Sequence, residues 1–197
     1  MARKLHNKTK LVHGVGINDA DYPTQPKIDG KAVRCPYYVV WVSMIKRCYS
    51  EKLQKRQPTY KGCSVCTEWL YFMNFRKWMI EQDWEGKALD KDLIVEDNKV
   101  YSPVTCAFVN TTTNSFTIDC GKVRGDYPTG VSFHKHTGKF VARCSNPFTN
   151  EREHLGYFHC PHEAHLAWKA RKHQLACQLA DLQTDPRVAE ALRTRYL

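Results

Sequence analysis

Long apolar runs are missing from this 197-residue chain. No stretch approaches the roughly 20 residues of a membrane-spanning helix, and the N-terminal MARKLHNKTK lacks the apolar core of a secretory leader. Acidic residues are short in supply, 20 Asp and Glu against 30 Lys and Arg, which leaves a net charge of +10. That balance excludes an acidic, solvating chain and favours a polyanionic partner, because cationic side chains that neutralise phosphates release condensed counterions. Histidine is absent from the whole middle of the chain: none lies between His13 and His134. Nine cysteines, an odd number without a secretory leader, fit a reducing cytoplasm with no disulfides.

What is present suits a packed protein. Hydrophobic residues make up 42% of the chain, enough for a core and too many for wholesale disorder. The charge is concentrated at the two ends. Residues 1–34 carry seven basic and three acidic groups, residues 35–120 eleven and ten, and residues 121–197 twelve and seven, together with seven of the nine histidines.

Periodicity divides the chain. Residues 1–34, broken by Gly14, Gly16, Pro23, Pro26 and Gly30, read as a basic N-terminal arm of extended segments and loops. In PYYVVWVSMIKRCYS (36–50), Val40, Met44, Ile45 and Cys48 recur at helical spacing behind Pro36. A basic, turn-rich loop (51–62) precedes a second amphipathic helix over 67–82. Its stripe Trp69, Phe72, Phe75, Met79, with Trp78 beside it, is core, and Thr67 is its N-cap. Residues 87–120 read as short strands and turns, with a short helix near 110–118.

From 126 the period changes to two. GVSFHKHTG sets Val131 and Phe133 against Ser132 and His134, and KFVARCS sets Phe140, Ala142 and Cys144 against Lys139, Val141, Arg143 and Ser145. Thr137-Gly138 turns between them. REHLGYF (152–158) makes a third strand, and residues 160–182 a long helix with Pro161 near its start. Asp185-Pro186 opens a last helix to Leu197. Such a sheet, basic on one face and carried on one helix, has the dimensions to enter a DNA major groove. A merely solvated face fits the alternation equally well.

TGVSFHKHTGKFVARC, HLGYF and EAHLAWKARK, in that order between Thr129 and Lys172, resemble the ethylene-response-factor (Apetala-type) DNA-binding domain. The resemblance implies double-stranded DNA as partner, read by the exposed sheet face through Ser132, His134, His136, Lys139, Arg143, Ser145, Arg152 and His154. Arginine is scarcer here than the family pattern has it, which implies looser specificity.

LDKDLIVEDNKVYSPVTCAFVNTTTNSF (89–116), with W..MI.RCY and Y.GCSVC.EW ahead of it, resembles the HNH (His-Me finger) core of phage homing endonucleases. The two resemblances imply an α+β chain. A ββα-metal-like nuclease core with flanking helices (35–120) would be followed by a three-stranded antiparallel sheet packed on one helix (126–182) and a C-terminal helix (185–197). They imply a phage-encoded, site-directed DNA endonuclease of the host cytoplasm, using one Mg2+ or Mn2+ held by Asp90 and Asn114, with Asn98 as the loop orienter. The base position falls on Lys91, a departure from the family's histidine.

Three alternatives stay open. Lys91 or the neighbouring Asp92 serves as an unusual base, a histidine such as His13 arrives from elsewhere, or the core is degenerate and the protein only binds DNA. Turn chemistry for Asp90 and Asp92, and a helix cap for Asn114, are the plain structural readings. Cys63-x-x-Cys66 is half of a zinc spacing that Cys48, Cys106 or Cys120 would complete. Thiols packed as small apolar side chains are the simpler account. His159, His162 and His165 read as solvated residues of a helix start.

Overall fold

The computed structural model describes residues 11–118 and 126–197; Cys120 and the first ten residues of the basic arm lie outside the described residues. The architecture is mixed α+β, and the chain divides into two units after Phe108.

In the first unit the arm has defined structure. β1 (Lys27–Ile28) and β2 (Lys31–Ala32) form an antiparallel hairpin. Its two-residue turn, Asp29-Gly30, takes φ of +51° and +75°, the left-handed pair a tight hairpin requires. Helix α1 (Pro36–Tyr49) begins with proline in its first turn and buries Trp41, Met44, Ile45 and Cys48. Trp41, rather than Val40, leads the buried stripe. Its indole N–H donates to the Trp69 carbonyl at 2.7 Å.

The expected loop at 51–62 opens instead with a short helix, α2 (Glu51–Arg56), because the Ser50 hydroxyl accepts from the Leu53 N–H and caps it. β3 (Ser64–Val65) follows.

The helix expected over 67–82 is interrupted. Residues 67–70 form a single 3₁₀ turn, Tyr71 is extended, and α3 spans Phe72–Ile80. The cause is a segment remote in sequence. Ile17 pairs with Tyr71, its N–H donating to the Leu70 carbonyl (2.8 Å) and its carbonyl accepting from the Phe72 N–H (3.0 Å). Asp19 Oδ1 then accepts from the Met73 N–H at 2.9 Å, capping α3 from outside. The aromatic stripe is core as expected: Trp69, Phe72, Phe75 and Met79 are buried, and Trp78 stacks on Phe108. Each such side chain removed from water contributes roughly 2–3 kcal/mol.

β4 (Ala88–Asp90) pairs with β6 (Ala107–Val109), whose last residue opens the second unit, and β5 (Val100–Tyr101) runs parallel to β3.

The second unit starts with α4 (Thr111–Thr117), capped by Asn110, whose side chain accepts from the Thr113 N–H at 2.7 Å. Next come β7 (Val131–His134), β8 (Lys139–Ser145) and β9 (Arg152–Phe158), one antiparallel sheet with β8 central. Helix α5 (Pro161–Ala180) packs across all three strands, and α6 (Pro186–Thr194), capped by Asp185, packs on α5.

The short helix α4 is tied to these C-terminal helices. Lys172 of α5 donates to the Phe116 carbonyl at 2.8 Å with its ammonium over the Phe116 ring, and Gln183 donates to Thr113 Oγ1. Gly130 (φ +81°) is required at the sheet entrance, since a Cβ there would lie 2.1 Å from the Trp168 ring.

Candidate nucleic-acid interface

Cross-strand pairing sorts the sheet into two faces, because residues directly opposite one another in an antiparallel pair point the same way. Phe133 faces Phe140 and Phe158, Val131 faces Ala142, and Cys144 faces Glu153. This is the α5 side. Glu153 receives a two-pronged ion pair from Arg171 of α5 (2.6 and 2.8 Å) and a bond from the Asn146 amide, which together hold its carboxyl down at about 2. The opposite face carries Ser132, His134, Lys139, Arg143, Ser145, Arg152 and His154, with His136 at the β7–β8 turn.

Seven of the eight side chains expected to read DNA therefore share one face, and the eighth stands at its hairpin end. The three strands contain one carboxylate, Glu153, and it is turned to α5. The free face is thus basic without internal neutralisation.

One residue of this face escaped the alternation reading. A bulge in β9 leaves Leu155 unpaired, since Ala142 opposes Gly156 while Arg143 opposes His154. Strict alternation from His154 would send Tyr157 inward. The extra residue shifts the register by one, and Tyr157 comes out opposite Val141 on the free face, half-exposed. Its ring lies 4.9 Å from His154 and 5.5 Å from His134. Gly156, with φ of +136°, was the available signal.

The second set of expected residues sits after β4 in the first unit. Asp90 Oδ1 accepts from the N–H groups of Asp92 (3.0 Å) and Leu93 (2.7 Å), an Asx turn. Burial, then the charge of Asp92, pushes the Asp90 carboxyl above its ordinary range against the pull of those two N–H bonds. Lys91 is buried, and its ammonium donates to Asp92 Oδ2 (2.7 Å) and to the Asn98 carbonyl (3.0 Å). The Asn98 amide donates to the carbonyls of Lys91 and Val100, both at 2.7 Å. The loop 91–99 is closed by its own polar side chains.

Arg47 of α1 joins this neighbourhood, donating to the Leu89 carbonyl at 3.3 Å with its guanidinium over the Tyr60 ring. The arginine of W..MI.RCY was visible as a motif residue, but nothing local tied it to β4.

Asn114 lies on α4. It belongs to the second unit and Asp90 to the first, so neither unit by itself contains the proposed ligand pair. Among the described residues no group of three or more His, Cys, Asp or Glu side chains is placed to hold a metal ion. Cys48, Cys63 and Cys106 are buried in the first unit's core, with Cys66 partly buried beside them. Burial pushes the thiols of Cys48 and Cys106 up to about 12, as for small apolar side chains that keep their protons. His165 stacks on Trp168 with its Nδ1 2.9 Å from the Thr129 carbonyl, so it braces the sheet entrance.

No protein-family model, no curated protein and no solved structure matches this chain. No helix among the described residues is long and apolar enough to cross a membrane.

Proposed function

We propose that this protein binds double-stranded DNA by presenting the free face of β7–β9 to the major groove. One observation carries the reading: Lys139, Arg143, Arg152 and three histidines gather at a sheet face that holds no carboxylate, while α5 occupies the other face. Three strands spaced as in any sheet span about 10 Å, which fits a major groove about 12 Å wide. Lys139, Arg143 and Arg152 then reach phosphates and base edges, and Ser132 and Ser145 supply hydroxyls of either hydrogen-bonding sense. Two arginines on the face allow at most two bidentate guanine contacts, so charge contributes more than base readout.

A second reading, phosphodiester hydrolysis with one Mg2+ or Mn2+, is favoured by Asp90. Its carboxylate is half-buried beside Asp92, and both backbone bonds fall on Oδ1. A hard cation at Asp90 would relieve that repulsion, so the residue fits as one oxygen ligand. A bound ion would polarise the scissile phosphate. The base in that scheme falls to Asp92, because the Lys91 ammonium is engaged as a donor.

Full-length protein titrated onto labelled duplex DNA, first in EDTA and then with Mg2+ or Mn2+, separates the two. The DNA-binding reading expects salt-sensitive binding in EDTA that Asp90→Ala leaves unchanged. Binding to duplex no tighter than to a neutral polymer would overturn it. Metal-dependent cleavage lost in Asp90→Ala establishes the second reading.

A further inference from the structure

The free sheet face pairs histidines with permanent cations. His134 stands directly opposite Lys139, and His154 directly opposite Arg143. The other charged or titratable groups on that side are Arg152 and Tyr157 of β9 and Lys135 and His136 of the hairpin, with the His136 ring 5.8 Å from His134. From the elements packed behind, α5 sends Arg171 and Lys172 to the opposite face, where Glu153 is consumed by Arg171. No acid within the strands compensates an imidazolium on the free face.

Like charges directly opposite one another on a sheet oppose each other. A proton on His134 or His154 adds a cation beside a cation in the free protein. A DNA phosphate at the same place sets an anion beside the ring, so a proton there is favoured in the complex. Imidazole is the side chain whose ordinary titration lies in the neutral range, so this change falls where it can be observed.

Resting on the DNA-binding reading above, we propose that the sheet face takes up protons on His134 and His154 as it binds duplex DNA, so that affinity strengthens as pH falls. Proton uptake also adds phosphate-neutralising charges, and the salt dependence steepens at low pH. His162, in the first turn of α5, lies outside the three strands.

The test uses full-length protein and a fluorescein-labelled duplex of mixed sequence. Anisotropy titrations run at constant ionic strength from about pH 8 to about pH 5.5, the window of imidazole titration. For the wild type, Kd falls about tenfold across that range, and His134→Gln/His154→Gln changes less than about threefold while matching the wild type at the upper end. His162→Gln keeps the wild-type pH response. Each single variant, His134→Gln or His154→Gln, loses about half of the logarithmic change. Helical ellipticity at both ends of the range confirms that the variants are folded. A double variant that keeps the full pH response overturns the proposal, as does a wild type that binds with pH-independent affinity. Failure of the wild type to bind duplex at any pH removes the DNA-binding reading itself, an outcome distinct from the other two.

Discussion

The free face of β7–β9 and the loop after β4 are both rich in polar side chains, but they use them in opposite ways. On the sheet, Lys139, Arg143, Arg152 and His154 point away from the body of the second unit and meet no carboxylate on their own strands. In the loop, Asp90, Lys91, Asp92 and Asn98 are bonded to one another and to the backbone they enclose. An outward polar face left uncompensated keeps its charge available to solvent or to an external partner of opposite sign. A polar cluster that satisfies itself needs none, and its residues are explained by the fold before any chemistry is invoked.

The largest expected effect attacks the scaffold of the open face. Gly130→Ala forces a Cβ into the Trp168 ring at a left-handed φ, and should lower stability by about 3 kcal/mol, against about 1 kcal/mol for Gly138→Ala, where φ is also positive but the space is open. Chemical denaturation followed by circular dichroism measures both. Equal losses would show that the indole moves aside freely.

Next comes the self-satisfied loop. Asn98→Ala removes two bonds to carbonyls and one from the Val100 N–H, and should cost about 2 kcal/mol of stability. Duplex affinity should stay within about twofold of wild type, since the loop is a structural device in this reading. A fall in affinity without a fall in stability would place the loop at the DNA instead.

A smaller effect concerns how α4 is held. Burial pushes the Lys172 ammonium down to about 8, even with the Phe116 carbonyl and ring against it. The folded state then binds fewer protons than the unfolded chain from about pH 8 up to the ordinary lysine value, so stability should rise with pH across that window. Allowing for the solvent that still reaches this lysine, the gain is on the order of 1–2 kcal/mol. Thermal melts of wild type and Lys172→Met measure it. The variant should lose the upward slope, and an unchanged slope would assign it to other groups.

These contrasts also mark what could be read from residues alone. The strands β7 to β9 and the helices α1 and α5 follow from local alternation and spacing, and so does the outward set of β7 and β8, because a two-residue period needs no knowledge of the rest of the chain. Arg152 and His154 of β9 rest on the family resemblance. The break at Tyr71 was hidden because Ile17, which takes its neighbours' hydrogen bonds, is remote in sequence. Tyr157 was hidden because a single unpaired residue, Leu155, reverses every side chain beyond it. The docking of α4 with the C-terminal helices depends on Lys172 and Gln183, which no local pattern links to Phe116 or Thr113. Asp90, Lys91 and Asn98 were visible as a motif, while their mutual hydrogen bonds were not.

The comparison of open face with closed loop is tested most directly by the salt dependence of duplex affinity. The logarithm of affinity plotted against the logarithm of salt concentration should lose roughly 0.9 units of slope per phosphate contact removed, so Lys139→Ala/Arg143→Ala should be shallower than wild type by about 2 and weaker at every salt concentration. Asp92→Asn, which alters the loop's charge without touching the sheet, should leave the slope as it is. A double variant with the wild-type slope, or an Asp92→Asn slope shifted as far as the double variant's, would contradict the account.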